Sequence, residues 1–174
     1  MSTSSAKLSV LVGKDFACLK IAGRANFSFS PDFKTLLNGL SQKGCNRFII
    51  DLSECMLMDS TFLGVLAGFG IKLNQAGASD QRGIELLNAN ARVTELLENL
   101  GALHLFKTTS GALPLSDDIQ ASTPESINPT HEEITRTSLE AHQTLMAVNP
   151  DNVARFKDVT QFLAEDLKIL EKGK

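Results

Sequence analysis

Along the first 112 residues the apolar positions switch between a period of two and a period near 3.6, and each switch marks an element. In "KLSVLVGKDFACLKIAG", two short runs rich in Leu, Val and Ile, residues 7–13 and 16–22, flank Gly13-Lys14-Asp15, which predicts a β-hairpin. "FSFSPDFKTLLNGLSQKG" then places Ser30 before Pro31, a capping residue and a first-turn proline, and sets Phe33, Leu36, Leu37 and Leu40 at helical spacing up to Gly44. Residues 47–52, "RFIIDL", form a compact apolar run suited to a central strand buried on both faces. "STFLGVLAGFGIKLNQAG" returns to the helical period through Phe62, Leu63, Leu66, Phe69 and Leu73, interleaved with Gly64, Ala67, Gly68 and Gly70. A helical glycine costs about 1 kcal/mol relative to alanine, so these positions predict close packing of the helix against a sheet. A strand at 83–88, a helix through "ANARVTELLENLG" stopped by Gly101, and a short last strand in "LHLFKT" complete the pattern.

Two opening strands followed by this helix–strand alternation predict an α/β fold, a mixed β-sheet of about five strands packed with helices. From residue 113 the character changes. "LPLSDDIQASTPESINPTHEE" holds Pro114, Pro124 and Pro129 among Ser, Thr, Asp and Glu, which is linker composition. Beyond it, Ile134, Ser138, Ala141, Leu145 and Val148 fall at helical spacing. After Asn149-Pro150, so do Val153, Phe156, Thr160, Leu163, Leu167 and Leu170. This predicts a C-terminal helical hairpin with a narrow apolar seam. The organisation expected is a body over 5–112, a linker over 113–130 and a helical extension over 131–172. The hairpin could fold back on the body, form a homodimer or bind a separate partner, and its seam needs cover within the chain or across a dimer.

Composition narrows the function. A chain of 174 residues can bury one domain core without disulfides or metal. There is no Trp and no Tyr to stack on bases or sugars. Residues 1–112 carry 11 basic and 9 acidic side chains, and 113–174 carry 6 and 11, so the front is +2 and the tail −5. Nucleic acid is not the expected partner. Cys18, Cys45 and Cys55 sit in or beside apolar runs and read as reduced, buried thiols. His104, His131 and His142 make no metal-binding spacing, and no cofactor is expected. No segment reaches the ~20 apolar residues of a membrane span, and the N-terminus lacks a signal-peptide pattern, so the expected location is cytoplasmic.

The candidate chemistry lies in "IIDLSECMLMDSTFLGVLAG", where Asp59-Ser60-Thr61 separates two apolar segments. A serine just before a helix can cap it by accepting a hydrogen bond from a first-turn amide. The same place suits a phosphate, because free amides and the positive end of the helix dipole both favour an anion.

These residues resemble the central motif of STAS domains, above all the bacterial anti-sigma factor antagonists: Asp51 and Ser53, then Met58-Asp59-Ser60, then Leu63-Gly64-Val65-Leu66, all in register. The order of elements over residues 5–112 is similar to that family's. The resemblance implies phosphorylation of Ser60, with Thr61 as a second candidate, by a serine kinase that doubles as the anti-sigma factor, and reversal by a PPM-type phosphatase. It also implies a partner-binding surface at Asp59, Ser60, Thr61, Phe62 and Ser53. The family usually has Ser or Thr then Gly after the phosphoserine, whereas this chain has Thr61 then Phe62. A large side chain there either reshapes the docking surface or turns inward. Most such antagonists also lack a tail like that from 113 on.

Two other classes compete. A Ser60 nucleophile helped by Asp59 would make an enzyme, but there is no G-x-S-x-G elbow and none of the histidines is near in sequence, so the chain is not expected to be one. Alternatively, the same fold is an unphosphorylated scaffold subunit of a signalling or membrane-associated transport assembly.

Overall fold

The computed structural model describes residues 6–75, 83–112 and 122–173. Strands β1 (Lys7–Val12) and β2 (Phe16–Ala25) form the antiparallel hairpin, with Lys7 opposite Ala22 and Val12 opposite Ala17. Strand β3 (Arg47–Asp51) pairs parallel to β2, β5 (Gly83–Leu87) parallel to β3, and β6 (Lys107–Thr109) parallel to β5. The short β4 (Cys55–Met58) pairs with the far end of β2, bringing Met58 opposite Ala25. The sheet is mixed and six-stranded, with β3 central as its apolar run implied.

Helices α1 (Ser30–Gln42), α2 (Ser60–Gln75) and α3 (Ala91–Asn99) alternate with the strands, and α4 (His131–Val148) and α5 (Asp151–Lys172) form the C-terminal hairpin. Alternate strand positions Val10, Leu19, Ile21, Phe48, Ile50, Ile84 and Leu86 meet Phe33 and Leu37 of α1, Phe62, Leu63 and Leu66 of α2 and Val93 and Leu97 of α3 in one continuous core. The opposite strand face carries a smaller cluster of Cys18, Ile49 and Leu87 against Leu11 and Phe16, so β3 is buried on both sides. Among the described residues no helix is long and apolar enough to cross a membrane.

Three local expectations are corrected, and one strand is new. Ser30 is the first residue of α1 rather than its cap, and its hydroxyl donates to the Asn26 carbonyl at 3.2 Å. "LHLFKT" is a 3₁₀ turn over Leu103–Leu105 followed by a strand of only three residues. Strand β4 has no counterpart in the periodicity, because four residues are too few to display one. The glycines of α2 serve a neighbouring helix more than the sheet: a Cβ at Gly64 would collide with the Ala141 backbone of α4, and one at Gly68 would touch Thr144. Gly70 alone of these three faces the sheet side, towards Ile84 and Phe106.

The hairpin folds back on the body. Thr130 and Glu133 form a reciprocal capping box at the start of α4, the Thr130 hydroxyl accepting from Glu133 N at 3.1 Å and the Glu133 carboxylate from Thr130 N at 2.9 Å. At the bend, Asn152 Nδ2 donates to the carbonyls of Leu145 (2.7 Å) and Leu100 (2.9 Å), which ties the hairpin to the end of α3. Leu145 and Phe156 join the main core and Leu167 is buried, so part of the apolar seam is covered within the chain, while Val153 stays exposed. Lys34 of α1 and Glu140 of α4 pair at 2.6 Å across the same junction. Of the stretch expected to be a linker, residues 113–121 lie outside the described residues, and 122–130 form no helix or strand beyond an isolated bridge of Ser122 to Val10, with Asp32 accepting from Ser126 Oγ and Ile127 N.

Candidate functional site at the β4–α2 junction

The parallel pairing of β4 with β2 decides where the Asp59-Ser60 seam lies. After Asp51, a tight turn is held by the Asp51 carboxylate accepting from Ser53 N at 3.0 Å, and β4 carries the chain along β2 to Asp59, whose N–H donates to the Ala25 carbonyl at 3.0 Å. Asn90 supports β4 from the other side: its Nδ2 donates to the Cys55 carbonyl at 3.0 Å while its Oδ1 caps α3.

Asp59, not Ser60, caps α2. Its Oδ1 accepts from Phe62 N at 2.8 Å and its carbonyl from Leu63 N at 3.1 Å, the pattern of an aspartate N-cap. Its Oδ2 accepts from Phe27 N at 2.6 Å, so one carboxylate fastens the loop after β2 to the first turn of α2. Burial pushes this carboxyl above the ordinary aspartate range, against the pull of the backbone N–H groups and of His142.

Ser60 is therefore released from capping, and its Oγ lies 2.8 Å from Nε2 of His142 on α4. The other ring nitrogen, Nδ1, is 2.7 Å from the Ser138 carbonyl one turn earlier. The imidazole is 5% exposed and meets the Phe156 ring edge-on at 4.9 Å. No expectation from the sequence included this contact. The two residues are 82 positions apart, and the only local signal was that His142 follows Ser138 by one helical turn on a face bearing Ala141 and Leu145. His142 is far from Ser60 in sequence, and the fold brings the two side chains together.

The other expected site residues are scattered by depth. Thr61 is buried at 5% exposure, and Phe62 is fully buried, stacked on Phe33 at 4.4 Å and on Phe29 at 5.9 Å. Phe62 thus turns inward and offers no docking surface. Ser53 is exposed, but the whole of β4 separates it from Asp59, roughly 13 Å at the usual rise per strand residue. Beside Ser60, Asp59 is part-buried, and Phe27, whose N–H meets the Asp59 carboxylate, is half-exposed. Among the described residues no group of His, Cys, Asp and Glu could hold a metal ion.

The comparisons with known proteins fall on this same region. A family model described as "Mlab, STAS domain" matches residues 10–107, more than half of the chain. The chain belongs to the STAS domain family. Three solved structures share the fold: an anti-sigma factor antagonist from Mycobacterium paratuberculosis (16% identity, 66% of this chain and 90% of that one, TM-score 0.50), the anti-sigma factor antagonist SpoIIAA in its unphosphorylated form (15%, 63% and 90%, TM-score 0.51), and a putative anti-sigma factor antagonist from Thermotoga maritima (20%, 60% and 86%, TM-score 0.51). No curated protein matches the chain in sequence. The match to the family model ends at residue 107, so α4, and with it His142, lies outside the matched residues.

Proposed function

We propose that this STAS protein is a protein-binding regulator in a partner-switching pathway, an anti-sigma factor antagonist that binds a kinase/anti-sigma factor while Ser60 is unmodified and releases it when Ser60 is phosphorylated. The observation that carries this reading is the division of labour at the seam: Asp59 caps α2, which leaves the Ser60 hydroxyl, at the positive end of a 16-residue helix, without a capping duty. A phosphate there adds about −1.5 to −2 in charge and three strong acceptors. Inside the molecule the helix terminus and His142 can take up that charge, so the fold need not change. Across an interface beside Asp59 it must be desolvated against a like charge, at a cost of several kcal/mol. A penalty of ~3 kcal/mol weakens binding about a hundredfold. A PPM-type phosphatase would reset the switch.

Affinity capture from native extract with wild type, Ser60→Ala and Ser60→Asp tests this. The expected result is a kinase-like protein that comes down with the first two and not with Ser60→Asp. Equal retention by Ser60→Asp and Ser60→Ala would sink it.

A second reading keeps the STAS family without the switch. On this reading the chain is a phosphorylation-independent scaffold subunit of a signalling or membrane-associated transport assembly, and all three baits would capture the same non-kinase assembly.

A further inference from the structure

A carbonyl oxygen can only accept a hydrogen bond, so the 2.7 Å contact between His142 Nδ1 and the Ser138 carbonyl places a proton on Nδ1. In the neutral ring Nε2 then holds the lone pair, and the Ser60 O–H, 2.8 Å away, donates to it. The tautomer is set by α4 itself, because Ser138 lies one turn before His142. This is the arrangement of a hydroxyl nucleophile with its base and an orienting acceptor behind the base.

We propose that His142 is the proton acceptor for Ser60, supplied in cis, and that the C-terminal hairpin completes a base-activated phosphoacceptor site. The proposal rests on the reading of Ser60 as the residue that is modified. Ser60 Oγ bonds to the γ-phosphorus of a nucleoside triphosphate held by the partner. The bond from that phosphorus to the β–γ bridging oxygen breaks, its electron pair leaves with the nucleoside diphosphate, and the Ser60 proton moves to His142 Nε2. The products are a phosphoserine and an imidazolium whose Nε2–H faces the new phosphate. Two features distinguish the pair from a packing contact. His142 is buried and held by Phe156, so its ring does not have to be ordered for the transfer. Ser60 is only part-buried and its hydroxyl is free of capping, so a donor can reach it.

A fluorophosphonate tests the pair without any kinase, because it forms the same Oγ–P bond with fluoride leaving. The purified full chain is labelled, the adduct is mapped by peptide mass spectrometry and the rate is followed in H₂O and D₂O. The expected result is an adduct on Ser60 that forms with a normal solvent isotope effect and is absent in Ser60→Ala. His142→Gln should slow it by about a hundredfold or more and remove the isotope effect, since glutamine can accept the hydrogen bond but not the proton. If His142→Gln does not fold, the imidazole ¹⁵N shifts of the wild type decide: an Nδ1–H tautomer supports the proposal and an Nε2–H tautomer overturns it. An unlabelled Ser60 in the wild type, or equal rates in wild type and His142→Gln, also overturns it, while the capture experiment on Ser60→Asp still stands as the separate test of the switch. Conversely, a labelled Ser60 with unchanged capture keeps the pair and removes the switch.

Discussion

Replacing Gly64 by alanine sets two effects of opposite sign against each other. In an isolated helix the substitution would stabilise α2 by about 1 kcal/mol, because glycine loses more backbone freedom on folding. In this fold the added Cβ lands on the Ala141 carbonyl of α4, 2.6 Å from the Ala141 Cβ and 2.7 Å from its carbonyl carbon. Carbon atoms prefer about 3.5–4.0 Å, so α4 must withdraw by about 1 Å. Overpacking of this kind costs about 1–3 kcal/mol. The same withdrawal stretches the Ser60–His142 hydrogen bond beyond useful geometry, for a further loss of about 1 kcal/mol. The net expectation is destabilisation by about 1–3 kcal/mol. Gly39→Ala is the internal control: nothing lies within 4 Å of its Cβ position in α1, so it should stabilise by about 1 kcal/mol. Gly68→Ala should follow Gly39→Ala rather than Gly64→Ala, since its nearest neighbours, the Thr144 side-chain atoms at 3.6 and 3.7 Å, are in ordinary contact. Denaturant unfolding midpoints at constant m-value measure all three. If Gly64→Ala rose in stability alongside Gly39→Ala, α4 would not be seated on α2 at this point, and the account of the Ser60–His142 contact would go with it.

Phe62→Ala should cost about 3–5 kcal/mol by removing a fully buried ring from the Phe29–Phe33 stack; a cost below 1 kcal/mol would mean the side chain faces solvent as a docking residue. Asp59→Asn leaves one acceptor oxygen for two backbone N–H groups, so unfolding experiments should show a loss of about 1–3 kcal/mol, with Asp59→Ala losing more. Burial pushes the Cys18 and Cys55 thiols up to about 11 from the ordinary 9.0. Both should react slowly with a disulfide reagent at pH 8 until the chain is unfolded. Between pH 9 and 11 the unfolded chain gives up thiol protons that the folded chain keeps, so the stabilisation present below pH 9 is lost as pH rises through that window. A melting temperature flat across it, or equally steep in Cys18→Ala, would contradict this.

Periodicity carried most of the fold. The alternation in 7–12 and 16–25, the apolar run before Asp51 and the 3.6 spacing in α1 to α5 are local properties, written within single segments, and each was legible without knowing its neighbours. Asp59 and Ser60 were likewise legible as a site, because a carboxylate and a hydroxyl between two apolar segments need a structural or chemical reason. What they do there was not. Whether Asp59 or Ser60 caps α2 depends on the angle at which β4 enters the helix, and β4 exists only because four residues find the free end of β2. Phe62 turns inward because α1 presents Phe33 to it, and the α2 glycines are small because α4 crosses them. The pairing of Ser60 with His142 joins residues 82 positions apart, across a helical hairpin whose own pattern said only that its seam needed cover. Local sequence determines which face of an element is apolar, whereas the partner for that face is chosen by the packing of the whole chain, where close approach, burial and hydrogen-bond satisfaction have to be met together.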